Sequence, residues 1–277
     1  MSESGHAWVQ PQFTATLILE RHVTLSFRQL QDEIKRLAPD QDLGDWTGPI
    51  ADPGADLGVE MLTLGDEKLS VLVVDAPAPA AILRPGPFPT FLWPNAEQEA
   101  EHHKAHIIVL GLENPIDRTA ALAKARAVTL VTVAIARLVP ALGVSWADSA
   151  NLVRAAGLLK MTETIGRPGA NAVPFWVRIM LANGESGPRG EATLKAGTTG
   201  LRIFGLRELE YAATPLEPGD LVQQAWSTAE YLLTSGKRLA DGETIGVEGQ
   251  TRFCISHADT GEFVAFPIAR LTATNDV

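Results

Sequence analysis

Hydrophobic residues recur along this chain with two different periods, and the alternation of the periods predicts the order of strands and helices. Residues 13–20 (FTATLILE) are rich in β-forming residues and predict a buried strand. Residues 26–39 (SFRQLQDEIKRLAP) carry apolar side chains at helical spacing between a capping serine and a terminating proline. Residues 59–65 (VEMLTLG) and 69–77 (LSVLVVDAP) predict two strands joined by a short turn, which is typical of a hairpin.

The predicted elements fall into two halves. A short helix in residues 96–103 and a strand in residues 105–112 complete the order β-α-β-β-α-β over residues 13–112. This is the order of ferredoxin-like folds. Residues 113–277 begin with a long helix that Asp117 caps and continue with alternating strands and helices. These include a helix in residues 149–165, a strand from Pro174 and a helix that Gly236 ends. We therefore predict an α+β protein of two ferredoxin-like halves, in which helices cover antiparallel sheets.

The densest local pattern is GLRIFGLRELEY, residues 200–211. If this stretch is one continuous strand, Arg202, Glu208 and Glu210 share a face, and Gly205 marks a bulge or a close backbone approach. The two carboxylates then lie about 6.8 Å apart, a spacing that suits a ligand or a basic partner better than a shared proton. The plainer interpretation is a solvent-exposed acidic strand.

The same stretch carries a family resemblance. GTTGLRIFGLRELEY (197–211), followed by a helix and by LADGETIG (239–246), resembles the C-terminal signature of the bacterial DUF4261 family. HHKAHIIV (102–109) resembles the middle segment of that family, so the resemblance extends over most of the chain from Phe13 onward. The family is of unknown function. The resemblance implies a recurrent structural module that includes Asp241, and it implies no catalytic residues.

Length and charge restrict the classes of partner. The chain has 277 residues, 45% of them hydrophobic, which is enough for a substantial core. A net charge of -10 repels phosphate backbones and anionic lipid, so we expect no nucleic-acid and no membrane partner. The most apolar helical run, residues 127–139, is shorter than the roughly 20 residues that a bilayer span needs. The single cysteine and the absence of a basic, apolar leader favour a cytoplasmic protein.

Known catalytic motifs are missing from the sequence. It contains no Gly-x-Ser-x-Gly, no complete phosphate loop and no Gly-x-Gly-x-x-Gly. His102, His103 and His106 lack the glutamate of a zinc protease, so we expect no metal there. Cys254 and His257 fall on opposite faces of a predicted strand, and we expect the cysteine to be buried. We expect no cofactor, and these observations favour a protein that is not an enzyme without deciding the question.

Two hypotheses for function follow. The first is a non-catalytic binding protein that neutralises a basic protein partner, as immunity proteins do. The proline-rich segment 84–94 supplies aromatic residues for such a surface or, alternatively, a plug for the core; they are Phe88, Phe91 and Trp93.

The second hypothesis is an enzyme or small-ligand-binding protein with a cleft between the two halves. The polar residues proposed to line that cleft are Arg202, Glu208, Glu210 and Asp241. The sequence leaves open the identity of the partner or ligand and the oligomeric state.

Overall fold

The computed structural model describes residues 12–47, 57–84, 86–88, 90–187, 190–246 and 251–274. These residues form a mixed α+β fold with two β-sheets. The prediction of an α+β protein is confirmed at this level.

The first sheet has seven strands, and all its neighbouring strands are antiparallel. The strands are β1 (Thr14–Leu19), β2 (Leu43–Thr47), β3 (Leu57–Leu64), β4 (Glu67–Val74), β5 (Ala105–Gly111), β6 (Ala141–Trp146) and β7 (Asn151–Arg154). Their order across the sheet is β2-β3-β4-β5-β1-β6-β7. The helices in this part of the chain are α1 (Phe27–Leu37), α2 (Ala80–Leu83), α3 (Ala96–Glu99), α4 (Arg118–Leu138) and α5 (Ala155–Met161).

The second sheet has six strands. They are β8 (Arg178–Asn183), β9 (Leu194–Thr199), β10 (Glu208–Thr214), β11 (Thr244–Ile245), β12 (Phe253–Ala258) and β13 (Ile268–Ala273). Their order is β11-β12-β13-β10-β9-β8, and β10 and β13 run parallel while the other neighbours are antiparallel. Two further helices, α6 (Val173–Trp176) and α7 (Pro218–Ser235), and two 3-10 turns, Ala147–Ser149 and Leu201–Phe204, complete the described elements.

Helix α4 forms the centre of the main hydrophobic core. It begins after Asp117, whose carboxylate accepts a hydrogen bond from the N–H of Ala120 at 2.8 Å, as the sequence predicted. By length and composition this helix is able to cross a membrane, but 78% of its most apolar stretch is buried inside the fold. It packs against α1 and against strands β1 and β5. We therefore assign it as a core helix.

The prediction of two ferredoxin-like halves is not confirmed. The first sheet takes β6 and β7 from beyond residue 112, and β1 lies between β5 and β6. Nearly every side chain of β1 is buried, so its backbone N–H and C=O groups need strand partners on both edges. A strand from residues 113–277 supplies the second edge.

Tertiary pairing also changes several local predictions. The segment from Ser149 to Ile165 was expected to be one helix, but it divides into strand β7 and helix α5. Strand β7 pairs with β6, and the side chain of Asn151 donates hydrogen bonds to the carbonyls of Pro174 and Phe175. The strand expected from Pro174 begins instead as the short helix α6.

Candidate functional site

The stretch 200–211 is not one continuous strand. Residues 201–204 form a 3-10 turn, and strand β10 begins only at Glu208. Gly200 has φ +120°, and Gly205, which ends the turn, has φ +72°, a backbone region that favours glycine. A Cβ atom at Gly200 would lie 2.3 Å from the carbonyl oxygen of Trp176. The expected bulge at Gly205 is therefore a left-handed turn end, and the close backbone approach occurs at Gly200.

Glu208 is the residue that fixes this turn. Its side chain is fully buried, and its Oε1 accepts hydrogen bonds from the N–H groups of Gly200 at 2.9 Å and Arg202 at 3.1 Å. Its Oε2 accepts a hydrogen bond from the hydroxyl of Thr198 at 2.8 Å. Burial raises the pKa of Glu208 above its ordinary value, and these hydrogen bonds oppose the rise. The expectation of a solvent-exposed glutamate was wrong here, because the turn surrounds the carboxylate with backbone donors.

Glu210 is also buried, and it holds the loop between β12 and β13. Its Oε1 accepts from the guanidinium of Arg270 at 2.8 Å, and its Oε2 accepts from the N–H of Glu262 at 2.6 Å. Gly197 lies opposite Glu210 in the sheet register. The ring of Phe263, in the same loop, occupies the space that a side chain on Gly197 would need. The expectation of a solvent-exposed carboxylate was therefore wrong for Glu210 as well.

The guanidinium of Arg202 forms no ion pair with Glu208 or Glu210 among the described residues. Its guanidinium stacks over the ring of Phe266, 4.1 Å from the ring centroid. Its Nε and Nη1 atoms are buried and have no hydrogen-bond partner within the described part of the chain. The positive charge of Arg202 opposes the burial-driven rise in the pKa of Asp148, whose carboxylate binds the backbone N–H groups of Gln12 and Phe13.

The three predicted aromatic residues of segment 84–94 lie in three different environments. The ring of Phe88 packs 5.2 Å from that of Phe263, and its carbonyl accepts a hydrogen bond from Arg178. Phe91 is 37% exposed. Its ring lies 5.9 Å from that of Trp226 on α7.

Trp93 is buried against the first sheet, where its ring covers Gly143, and its Nε1 donates to Glu99 at 2.7 Å. The segment thus connects the two sheets rather than presenting one aromatic surface.

Asp241 lies in a different turn, before β11. Its Oδ1 accepts a hydrogen bond from the N–H of His257 at 2.7 Å, and the following Gly242 has φ +79°. The structure thus places Arg202, Glu208 and Glu210 around one end of β10 and gives Asp241 a separate role in a turn. Each of the three acidic side chains accepts hydrogen bonds from neighbouring protein groups.

Two of the three clustered histidines, His103 and His106, form hydrogen bonds with the backbone. His103 is buried, its Nδ1 lies 2.6 Å from the carbonyl of Ala100, and its Nε2 accepts from the N–H of Ala78 at 2.7 Å. Nδ1 of His106 lies 2.8 Å from the carbonyl of Ala76. Both ring nitrogens of His103 are therefore engaged, which leaves neither free to bind a metal. The expectation of a buried Cys254 was wrong, because its side chain is exposed on the polar face of β12.

An open groove of about 980 Å³ lies between α7 and the β11–β12 strands. One wall is a polar stripe of α7 at helical spacing, formed by Asp220, Gln223, Gln224, Ser227, Thr228 and Tyr231. Phe253, Leu216, Leu239 and Ile245 contribute its apolar surface, and Glu243, Thr244, Gly246 and Thr251 its opposite rim. The sequence analysis missed this groove. The sequence shows the polar stripe of α7 beside the apolar face of the same helix, but it does not show which strands lie opposite that stripe.

The groove is acidic. Its described lining contains two carboxylates, those of Asp220 and Glu243, and neither lysine nor arginine. The ring of Tyr231 is 40% exposed, and the ammonium of Lys237 lies 5.8 Å from its centroid. Tyr231 and, to a smaller extent, the charge of Glu243 raise the pKa of Lys237, so a cation of this chain already lies beside the groove. The groove therefore combines negative charge, hydrogen-bonding side chains and an aromatic ring.

Comparison with protein families gives a match for residues 197–264. They match the DUF4261 family, a domain of unknown function. The resemblance stated for residues 197–246 is confirmed over this segment, while the resemblance at residues 102–109 stays a prediction. No curated protein and no solved structure matches the chain.

The DUF4261 segment contains most of the residues described above. It includes the turn held by Glu208, the first part of the loop held by Glu210, Asp241, all of α7, and strands β11 and β12. All fourteen residues that line the groove, from Leu216 to Phe253, lie within residues 197–264. Phe88, Phe91 and Trp93 lie outside the matched segment.

Proposed function

We propose that this chain is a non-catalytic binding protein of the bacterial cytoplasm that takes up a basic segment of a partner protein in the groove beside α7. The observation that carries the proposal is the charge of that groove. Its described lining residues include two carboxylates and no lysine or arginine, and the ammonium of Lys237 lies beside the lining residue Tyr231. A positively charged segment is attracted to such a surface, and nucleic acid and anionic lipid are repelled.

If the partner has a harmful activity that binding inhibits, this chain acts as an immunity-type protein. The net charge of -10 supports fast association with a basic partner, since opposite charges steer the encounter of two proteins. Masking of a basic functional surface then neutralises the partner. This role also accords with a site whose side chains are mostly amides, hydroxyls and carboxylates without a nucleophile–base pair among the described residues.

The alternative of an enzyme or ligand-binding cleft built on Arg202, Glu208, Glu210 and Asp241 has less support. Glu208 and Glu210 are buried and already accept internal hydrogen bonds. Asp241 binds the backbone of His257 in another turn. A substrate would have to displace these bonds before it reached either carboxylate.

The proposal is tested with a fluorescein-labelled octapeptide of alternating lysine and valine, compared with its glutamate–valine counterpart. Fluorescence polarisation should show binding of the lysine peptide alone, with an affinity that falls as salt is raised. Asp220→Asn should weaken this binding by about two- to fivefold, the size of one exposed ion pair. Glu230→Gln removes an exposed carboxylate from the same helix outside the groove, and it should leave the affinity unchanged.

Equal weakening by the two variants would contradict the assignment of the groove, because only general charge would then matter. Failure of both peptides to bind would contradict the proposed function. Neutralisation is tested on a protein captured by the wild type: the lysine peptide should displace it, and an equimolar amount of this chain should inhibit it.

A further inference from the structure

Strand β11 lies at the edge of the second sheet as far as the described residues show, and both of its residues line the groove. It is the outermost strand of the second sheet, and its only strand partner in the described chain is β12. Thr244 on this strand is exposed and lies in the groove lining. The edge of the sheet is therefore one of the walls of the acidic groove.

The hydrogen-bond pattern shows which backbone groups this edge presents. The N–H of Ile255 donates to the carbonyl of Glu243 at 2.9 Å, and Thr244 is the next residue, opposite Cys254. Bonded and non-bonded pairs alternate in an antiparallel ladder, so Thr244 belongs to a non-bonded pair. Its N–H and C=O consequently point away from β12. Outside the β11–β12 ladder, no backbone hydrogen bond joins either group to another described residue.

We propose that the partner segment binds as an added β-strand beside β11, in extended form, with its backbone paired to the N–H and C=O of Thr244. This inference rests on the proposed function, since it specifies how the basic segment lies in the groove. An exposed strand edge is a ready template for an incoming strand.

The opposite wall suits the same occupant. An extended strand directs alternate side chains to opposite sides. Its cationic residues can therefore face Asp220 and Tyr231 on α7 while its other residues face the opposite way. The part of α7 that lines the groove, Asp220 to Tyr231, extends about 17 Å at 1.5 Å per residue, which is the length of about five strand residues at about 3.4 Å per residue.

The test uses N-methylated forms of the lysine–valine octapeptide. One form is methylated on the backbone nitrogen of every lysine, and the other on the backbone nitrogen of every valine. Each form therefore lacks the backbone N–H groups of one strand edge. Strand addition uses one edge only. We expect one form to lose binding by about fivefold or more and the other to keep the affinity of the unmodified peptide.

A protein variant gives an independent measurement. Thr244→Pro removes the N–H at a position where an edge strand tolerates proline, whereas Thr244→Val changes the side chain and keeps the backbone donor. We expect Thr244→Pro to bind the unmodified peptide more weakly than wild type and Thr244→Val to bind it as wild type does. Melting temperatures of both variants show whether they remain folded.

Two outcomes separate the two proposals. Equal binding of both methylated peptides, while the unmodified peptide binds, would overturn strand addition and leave the acidic groove as a binding site. If the unmodified peptide itself does not bind, the proposed function fails and strand addition fails with it.

Discussion

Replacement of Glu208 by glutamine should destabilise the protein far more than replacement of an exposed glutamate. Glutamine can keep the two hydrogen bonds from the N–H groups of Gly200 and Arg202 through its carbonyl oxygen. It cannot accept the third, from the hydroxyl of Thr198, because its other terminal group is an NH₂. The hydroxyl oxygen of Thr198 accepts a hydrogen bond from the N–H of Leu209 at 2.7 Å, which holds the hydroxyl in place. In the glutamine variant the hydroxyl proton is therefore left without an acceptor.

The expected cost is about 1–3 kcal/mol, the range for a buried donor without a partner. For a chain of this size it corresponds to a fall in Tm of about 2–4 °C per kcal/mol. Glu208→Ala removes both acceptor oxygens and leaves three donors without a partner, so it should cost about 3–5 kcal/mol. Glu230→Gln is the control and should stay within about 0.5 kcal/mol, because that side chain is exposed.

The pH dependence gives a second measurement on the same variants. Burial raises the pKa of Glu208 from its ordinary value of 4.5, so the folded state favours the protonated carboxyl. The stability that this group contributes is complete below the unfolded pKa and is lost as pH rises through the folded pKa. Glutamine does not titrate. Urea unfolding should therefore show a larger difference between wild type and Glu208→Gln at pH 5 than at pH 8.

Two results would refute this reasoning. A cost no larger than that of Glu230→Gln would show that the carboxylate does not hold the turn. A difference that grows with pH would show that the hydrogen bonds outweigh burial and lower the pKa of Glu208.

Two further predictions concern backbone geometry and the buried histidine. Gly200→Ala should lower the free energy of unfolding by at least about 3 kcal/mol, because the residue has a positive φ and a Cβ would lie 2.3 Å from the carbonyl oxygen of Trp176. Gly219→Ala has open space around it and should be neutral or stabilising. Equal melting temperatures for the two variants would contradict this prediction. His103→Leu removes two buried hydrogen bonds and should lower the free energy of unfolding in urea by about 2–4 kcal/mol. His102 is exposed, so His102→Ala should change it by no more than about 0.5 kcal/mol. Zinc should not raise the Tm of the wild type, and stoichiometric zinc by elemental analysis would contradict that expectation.

The elements predicted best from the sequence are those whose signals are local. Ser26 and Asp117 cap α1 and α4 as expected, since a capping side chain needs only the next three residues. The β3–β4 hairpin and helix α7 with its glycine end follow in the same way from nearby turn residues. Strand, helix and turn chemistry within about ten residues was enough for these elements.

The candidate site was harder to predict because it depends on distant partners. The sequence shows Glu208 and Glu210 as two charges on a strand, and nothing local indicates that both are buried. Glu210 is compensated by Arg270, sixty residues away, and the groove forms only when α7 meets strands that follow it in the chain. The exposed Cys254 is a similar case, since the polar face of β12 is set by its register with β13.

The boundaries of the DUF4261 match have a consequence for how the protein can be divided. The match ends at residue 264, but β10 pairs with β13, which begins at Ile268, and β9 pairs with β8, which ends at Asn183. A polypeptide limited to residues 197–264 would lack β13, which lies between β12 and β10, and the edge strand β8, together with the arginine that neutralises Glu210. Its exposed ladders would invite self-association. A fragment that keeps the second sheet whole must extend at least from Arg178 to Ala273.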